Sequence, residues 1–380
     1  MDEVEFLKEC IEIPSISGSE EQFSNFLLEK MKNLGLNAWK DHVGNVIGQI
    51  GTGTPVLLLC SHMDTVEGTI PVRIEKGKLY GRGAVDAKGS LISMVCAAAK
   101  FVKKKISGKI VVAGIVEEET TVNGINTLLD SLEHVDYAIF GEPSGIDRIC
   151  IASKGRIHLH LLVKTLSGIT HVSNTKENKN PIHIAISFWN NLKDRLTQRP
   201  FLGKTPYFSV EPNITVIKGG MATNVQPDIC EMDIDIRFPL GIKSTQIIQE
   251  IEKVINEFQD MNNYQIKFEI LSQIEAFRGK KDTNLALTLK NAIESVLKTD
   301  VKFLRKSGTN FMAIIANKLK IPVISYGPGD PTLEHTTNEY IEITEYQRAV
   351  DIFCLLYTSD AADELDGVDL GGGRIMKKKK

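Results

Sequence analysis

The chain has 380 residues, 42% hydrophobic and 24% charged, with a formal net charge of −3. This reads as a soluble globular protein of one large domain or two ordinary ones, and so slight a charge gives no reason to expect a nucleic-acid or membrane partner. No apolar run approaches the roughly 20 residues of a membrane span, the acidic start MDEVEFLKEC lacks the marks of a secretory signal, and six scattered cysteines without a C-x-x-C pair read as buried thiols of a reducing cytoplasm.

Apolar spacing predicts a helix over SEEQFSNFLLEKMKNLGL and strands over NVIGQI and PVLLLCSH. GSLISMVCAAAKFVKKK follows as an amphipathic helix ending in lysines. KIVVAGIVEEE is a buried strand with a charged end, and DYAIFGEPS repeats that design. Such alternation implies an α/β domain built on a mostly parallel central sheet. Near residue 153 the pattern changes: GRIHLHLLVKT, NITVIKGG and CEMDIDIRFP alternate apolar and polar residues as half-exposed strands do, and NPIHIAISFWNNLKDRL and STQIIQEIEKVINEFQ read as helices. We expect an α+β block of two helices and four strands over 153–271, inserted into a catalytic domain formed by 1–152 and 272–356. The tail, 357–380, is low in apolar residues, ends in four lysines and reads as a disordered or non-native segment.

Polar groups recur where apolar strands or glycine-rich turns end. They are His62 and Asp64 in SHMD, Asp86 in YGRGAVDAKG, Glu117, Glu118 and Glu119 in VEEET, Glu142 in FGEPS and His335 in LEHTT. Sites in open α/β sheets form at such strand ends. Singly, each group has an ordinary structural reading: a strand end meeting solvent for His62 and Asp64, a helix N-cap or Asx turn for Asp86, a solvated or polar loop for the rest. Three adjacent carboxylates, however, repel one another unless cations lie near. Two imidazoles with several carboxylates and no cysteine form the donor set of a hydrolytic zinc or cobalt site. A carboxylate able to bridge suits two metals about 3.5–4 Å apart.

The order and context of SHMDTV, YGRGAVDAKG, EEE, GEPS and the late histidine resemble the dinuclear zinc hydrolases that include DapE desuccinylase, ArgE deacetylase, aminoacylase and carboxypeptidase G, over the chain up to about residue 356. The resemblance implies a zinc-binding α/β domain carrying an inserted ferredoxin-like dimerisation or lid domain, and hence a homodimer. It implies that His62 and Glu142 bind one metal, that Glu119 and His335 bind the other, and that Asp86 bridges them. Asp64 would orient His62, Glu118 would act as general base and acid, and Glu117 would only support them. His171 in GITHVS matches the lid histidine that reaches the neighbouring subunit's site and stabilises the oxyanion; Asn224 in GGMATNVQPD matches a second lid position near the substrate. Without the resemblance His171 reads first as a surface-loop histidine, and the string around Asn224 equally allows a structural turn.

Within that family, YGPGDPTLEHTTNEYIEI and YGRGAVDAKGSLISM are most similar to the LysK-type members, which release lysine or ornithine from a LysW-type amino-group carrier protein. In RKSGTN, Gly308 and Thr309 would then contact the substrate and Arg305 would pair with a carboxylate, while Phe311 stands where the subgroup has Asp. The implied reaction hydrolyses the amide between the carrier's terminal glutamate γ-carboxyl and the α-amino group of lysine or ornithine, in lysine and arginine biosynthesis. An acidic carrier would favour a basic rim, for which Lys103, Lys104, Lys105, Lys154 and Arg156 are candidates. Other readings are a deacylase of small N-acyl amino acids or a dipeptidase with the same chemistry, a catalytically dead homologue, and a metal-storage protein. Activity on a free acyl amino acid marks the first, and failure to take up metal marks the second.

Overall fold

The computed structural model describes residues 2–104, 106–166, 168–173, 180–259 and 264–357. Lys105 and the tail beyond Tyr357 lie outside the described residues. The described residues form two compact units, one within 1–150, 280–303 and 319–357, the other within 151–279 and 304–318.

In the first unit four strands lie parallel, in the sheet order Gly108–Ile115, Val56–His62, Tyr137–Gly141, Val323–Ser325. Antiparallel neighbours extend the sheet: Val46–Thr52 and then Asn37–Lys40 on one side, and Arg148–Ser153, through the pair Ser325 and Cys150, on the other. The sheet is therefore mixed with a parallel centre. Every residue of Val56–His62 is buried, which explains why VLLLCSH reads as a continuous apolar run without alternation. The chain leaves this strand to pair next on one side and then on the other, so its carboxyl end is a topological switch point. His62 stands there.

Helix Lys88–Ala99 corrects the amphipathic reading of GSLISMVCAAAKFVKKK. Its residues Lys88 to Ala98 are all buried, and it stops before the lysines. It packs between strand Val56–His62 and helix Ile343–Leu356, and a helix enclosed on all sides presents no polar face.

The second unit has the order β-α-β-β-α-β. Its long strands are Gly155–Thr165, Glu211–Gly219, Ile229–Phe238 and Tyr264–Ile274, and its long helices are Pro181–Leu196 and Ser244–Gln259. The sheet order is Glu211–Gly219, Ile229–Phe238, Gly155–Thr165, Tyr264–Ile274, with every pair antiparallel. This is a ferredoxin-like arrangement. Ile157, Leu159, Leu161 and Val163 share a core with Phe188, Leu192, Ile251 and Val254, while the intervening His158, His160 and Leu162 stay half-buried on the other face. Leu304–Lys318 also belongs to this unit. Two contacts tie it there: the Thr309 hydroxyl donates to the Lys154 carbonyl at 2.6 Å, and the Arg305 guanidinium stands 5.8 Å from the Phe208 ring centroid.

All six cysteines are free. Among the described residues no helix is long and apolar enough to cross a membrane.

Candidate metal centre

Three strand ends and two loops of the first unit converge. His62 closes Val56–His62, Glu118 and Glu119 follow Gly108–Ile115, and Glu142 follows Tyr137–Gly141. Asp86 precedes helix Lys88–Ala99, and His335 follows the short helical turn Pro331–Leu333. The packing here is close. A Cβ on Gly327 would lie 2.8 Å from the Glu142 carbonyl oxygen and 2.1 Å from Ser90 Oγ, so only glycine lets the Val323–Ser325 strand end pass beside Glu142.

Asp86 turns one oxygen to each imidazole. Its Oδ1 lies 3.0 Å from His62 Nε2, and its Oδ2 lies 3.0 Å from His335 Nε2. Glu142 Oε1 is 4.0 Å from the same His62 nitrogen, and Glu119 Oε1 is 2.8 Å from His335 Nε2. His62, Asp86 and Glu142 are buried; His335 opens to solvent. Two non-glycine residues of the site take left-handed backbone, Glu117 at φ 60° and His335 at φ 59°. Such conformations cost about 1–3 kcal/mol and persist only where the surroundings impose them; the Glu117 N–H, for one, is held by the buried Glu20 carboxylate at 3.0 Å.

Asp64 is fully buried and serves both sides of the centre. His62 Nδ1 donates to its main-chain carbonyl at 2.9 Å, closer than its carboxylate at 3.5 Å. The carboxylate instead accepts the main-chain N–H of Glu118 on Oδ1 and of Glu119 on Oδ2, each at 3.0 Å, with the Ser17 hydroxyl on Oδ2 at 2.7 Å. It therefore supports His62 mainly through its carbonyl and supports the glutamate turn through its side chain.

Five carboxylates surround two imidazoles, and the charge is lopsided. Burial works against a charged His62, yet Asp64 and Asp86 hold its imidazole well above the usual range. Hydrogen bonds to Asp86 and Glu119 push His335 up to about 10. Burial, opposed by His62 and reinforced by Glu142, Glu119 and Asp64, pushes the Glu118 carboxyl well above the usual carboxylate range.

The donor set fits divalent cations. Donor atoms of His62, Asp86 and Glu142 lie within 4.8 Å of one another, as do those of Asp86, Glu119 and His335, and those of His62, Glu118 and Glu119. The first two groups share Asp86, which presents a different oxygen to each. Imidazole and carboxylate donors without thiolate suit zinc or its first-row neighbours, and a shared carboxylate suits a pair of ions.

The predicted substrate-side residues lie in the second unit, in two places. Thr170–His171 pairs with Val225–Gln226, and the Val172 N–H donates to the Asn224 carbonyl at 3.1 Å, which puts His171 and Asn224 side by side on one exposed ribbon. Arg305, Gly308 and Thr309 lie along and just after strand Lys302–Lys306; Phe311 behind them is buried. Lys154 is a correction. It is fully buried, and its ammonium donates to the carbonyls of Pro206 and Ser209 at 2.9 and 3.0 Å and to the Glu211 carboxylate, so it cannot form a docking rim. Arg156 is engaged with Asp235 at 2.6 Å. Lys103 and Lys104 remain exposed.

The sequence pattern of peptidase family M20/M25/M40 matches residues 58–359. The chain belongs to this family. It is accordingly an amide-bond hydrolase, and the donor cluster agrees with the metal dependence of the family. Among relatives of this family member, the LysW-lysine/LysW-ornithine hydrolase of Sulfurisphaera tokodaii is 31% identical over 92% of this chain and 95% of its own length. The LysW-lysine hydrolase of Deinococcus radiodurans is 30% identical over 92% of this chain and 94% of its own length. Among solved structures, an M20 family metallo-carboxypeptidase from Sulfolobus solfataricus superposes with a TM-score of 0.78 at 20% identity, covering 94% of this chain and 98% of that one.

Proposed function

We propose that this hydrolase frees lysine, ornithine or both from a LysW-type amino-group carrier protein by cleaving the amide on the carrier's terminal glutamate γ-carboxyl, in lysine and arginine biosynthesis. The two imidazoles facing opposite oxygens of Asp86 carry the hydrolytic part of this reading. The relatives named for carrier-linked lysine and ornithine, at 30–31% identity over nearly the whole chain, support the substrate.

His62 and Glu142 would hold one divalent ion, zinc or cobalt, Glu119 and His335 the other, with Asp86 between them. Such ions, when bound, acidify water and polarise the scissile carbonyl. Glu118 takes the proton of the attacking water. As the C–N bond breaks, it passes that proton to the leaving α-amino nitrogen, while the water oxygen stays on the glutamyl carbon. Asp64 keeps the Glu118–Glu119 turn in register through its two amide contacts. His171 would stabilise the oxyanion in a neighbouring subunit of a homodimer, with Asn224 close to the substrate. Arg305, Gly308 and Thr309 would engage the amino acid, Arg305 by pairing with its carboxylate. In this reading 1–152 and 272–356 form the catalytic domain and 153–271 the lid.

A mass-spectrometric cleavage assay with zinc- or cobalt-loaded protein tests the reading. It would offer carrier-linked lysine, carrier-linked ornithine, acetylornithine and succinyl-diaminopimelate side by side. Cleavage of the conjugates alone is expected. Cleavage of a free acyl amino acid with the conjugates untouched would leave the mechanism standing and replace the substrate with a small acylated amino acid.

A further inference from the structure

Glu339 is fully buried, with 0% of its surface exposed, and it is absent from the donor groups described above. Both of its carboxylate oxygens are nevertheless engaged. Oε1 accepts two consecutive main-chain N–H groups, those of Val85 at 2.9 Å and of Asp86 itself at 3.1 Å. Oε2 accepts Arg82 Nη1 at 2.8 Å. A charge so enclosed is tolerated only when it is paired and hydrogen-bonded, and all of these partners come from the 82–86 turn.

Glu339 also stands four residues after His335, so it closes the loop that delivers that imidazole. Immediately beyond it, Tyr340 pairs with Tyr80, and the Gly81 N–H donates to the Glu339 carbonyl at 3.3 Å. One side chain thus joins the loop of His335 to the backbone of Asp86, and these are the two residues whose Nε2 and Oδ2 meet at 3.0 Å. A purely structural tether could attach anywhere along the 81–87 turn. This one grips the amide of the shared carboxylate residue itself.

We propose that Glu339, clamped by Arg82, is a positioning residue that locks the Asp86 carboxylate and the His335 loop together and so builds the second of the two metal sites. The inference rests on the reading of Asp86 and His335 as ligands. Its consequence is graded: both sides share Asp86, but the other donors of the first, His62 and Glu142, lie at strand ends, whereas on the Glu119 and His335 side the clamp also closes the loop that carries the imidazole.

The test is metal binding by the full chain carrying Glu339→Gln, followed by calorimetry and by the visible spectrum of the cobalt-loaded protein. Glutamine keeps the size and one acceptor but turns an amide N–H₂ toward Arg82. The first equivalent, which also uses Asp86 but otherwise draws on strand-end donors, should weaken less than the second. The second should weaken roughly 10–100-fold, the usual consequence of losing an outer support of a ligand, with an altered cobalt spectrum; the thermal midpoint should fall as well, because the Arg82 donor loses its buried partner. Lost turnover should return at raised metal concentration with KM unchanged. Wild-type affinity and spectrum for both equivalents in E339Q would overturn the proposal. If E339Q does not fold, Arg82→Ala decides: a weakened second equivalent supports the clamp, and two normal equivalents overturn it. A wild-type chain that binds fewer than two ions overturns the inference together with the two-ion reading. A wild-type chain that binds two ions, loses the second in E339Q and yet leaves carrier conjugates intact supports the inference and removes only the proposed substrate.

Discussion

The main-chain N–H of Glu118 donates to Asp64 Oδ1 at 3.0 Å, across 54 residues of chain. The adjacent Glu119 N–H occupies Oδ2. A buried aspartate therefore sets the register of two glutamates to which quite different tasks are assigned. Asp64→Asn replaces one acceptor by an N–H₂ that must oppose one of these amides or the Ser17 hydroxyl. We expect a loss of about 1–3 kcal/mol in unfolding free energy, the cost of an unsatisfied buried polar group, together with weaker metal retention. Chemical denaturation with and without metal checks this; an unchanged midpoint and full metal content would show that the turn holds itself.

Glu118 separates proton transfer from metal binding. Among the described residues it shares a donor group with His62 and Glu119 alone, whereas Glu119 reaches His335 directly. Glu118→Ala should lower kcat by roughly 10²–10⁴, the usual contribution of a general acid–base group, and leave two ions per chain by elemental analysis. A variant that loses an ion would show that Glu118 is a ligand and that the assignments within Glu117–Glu119 are off by one.

Metal uptake should release protons. His335, pushed up to about 10, carries its proton at neutral pH in the metal-free protein, and an ion can bind there only by displacing it. Affinity at this side should rise with pH below about 10. Titration calorimetry in buffers of different ionisation enthalpy should give heats that differ in proportion, and His335→Ala should remove much of that difference. Equal heats in all buffers would contradict the ion pairs seen around this imidazole.

In the second unit, Asp235 predicts an acid limb of stability. Burial opposes its ionisation, but Arg237 and Arg156 hold its carboxyl below the usual value of 3.8. The folded-state value is the lower one. Its contribution is thus fully present above about 3.8 and is lost as pH falls through the folded value. Asp235→Asn should be less stable than the wild type at neutral pH, and the gap should close in strongly acidic solution. A gap independent of pH would mean that the carboxylate charge contributes nothing to folding.

Much of the molecule was legible in its sequence because burial leaves a periodic trace. VLLLCSH announced an enclosed strand, GRIHLHLLVKT a half-exposed one, and the polar residues that interrupt such runs at His62, Glu118, Glu119 and Glu142 are those the first unit gathers. Helix Lys88–Ala99 was misread because a fully enclosed helix and an apolar stripe differ only in what surrounds them, and surroundings are not local. Lys154 was misplaced for the same reason: a lysine reads as solvent-facing unless the carbonyls that receive it, here 52 and 55 residues away, are known.

By itself, then, the sequence determined the donor types and their delivery at strand ends, since side-chain chemistry and alternation are properties of neighbouring residues. Only the tertiary structure decided which oxygen of Asp86 meets which imidazole, that the Asp64 side chain holds the glutamate turn, and that Glu339 grips Asp86 from 253 residues away. Those relationships depend on how separate strands and loops pack, and no local pattern records them.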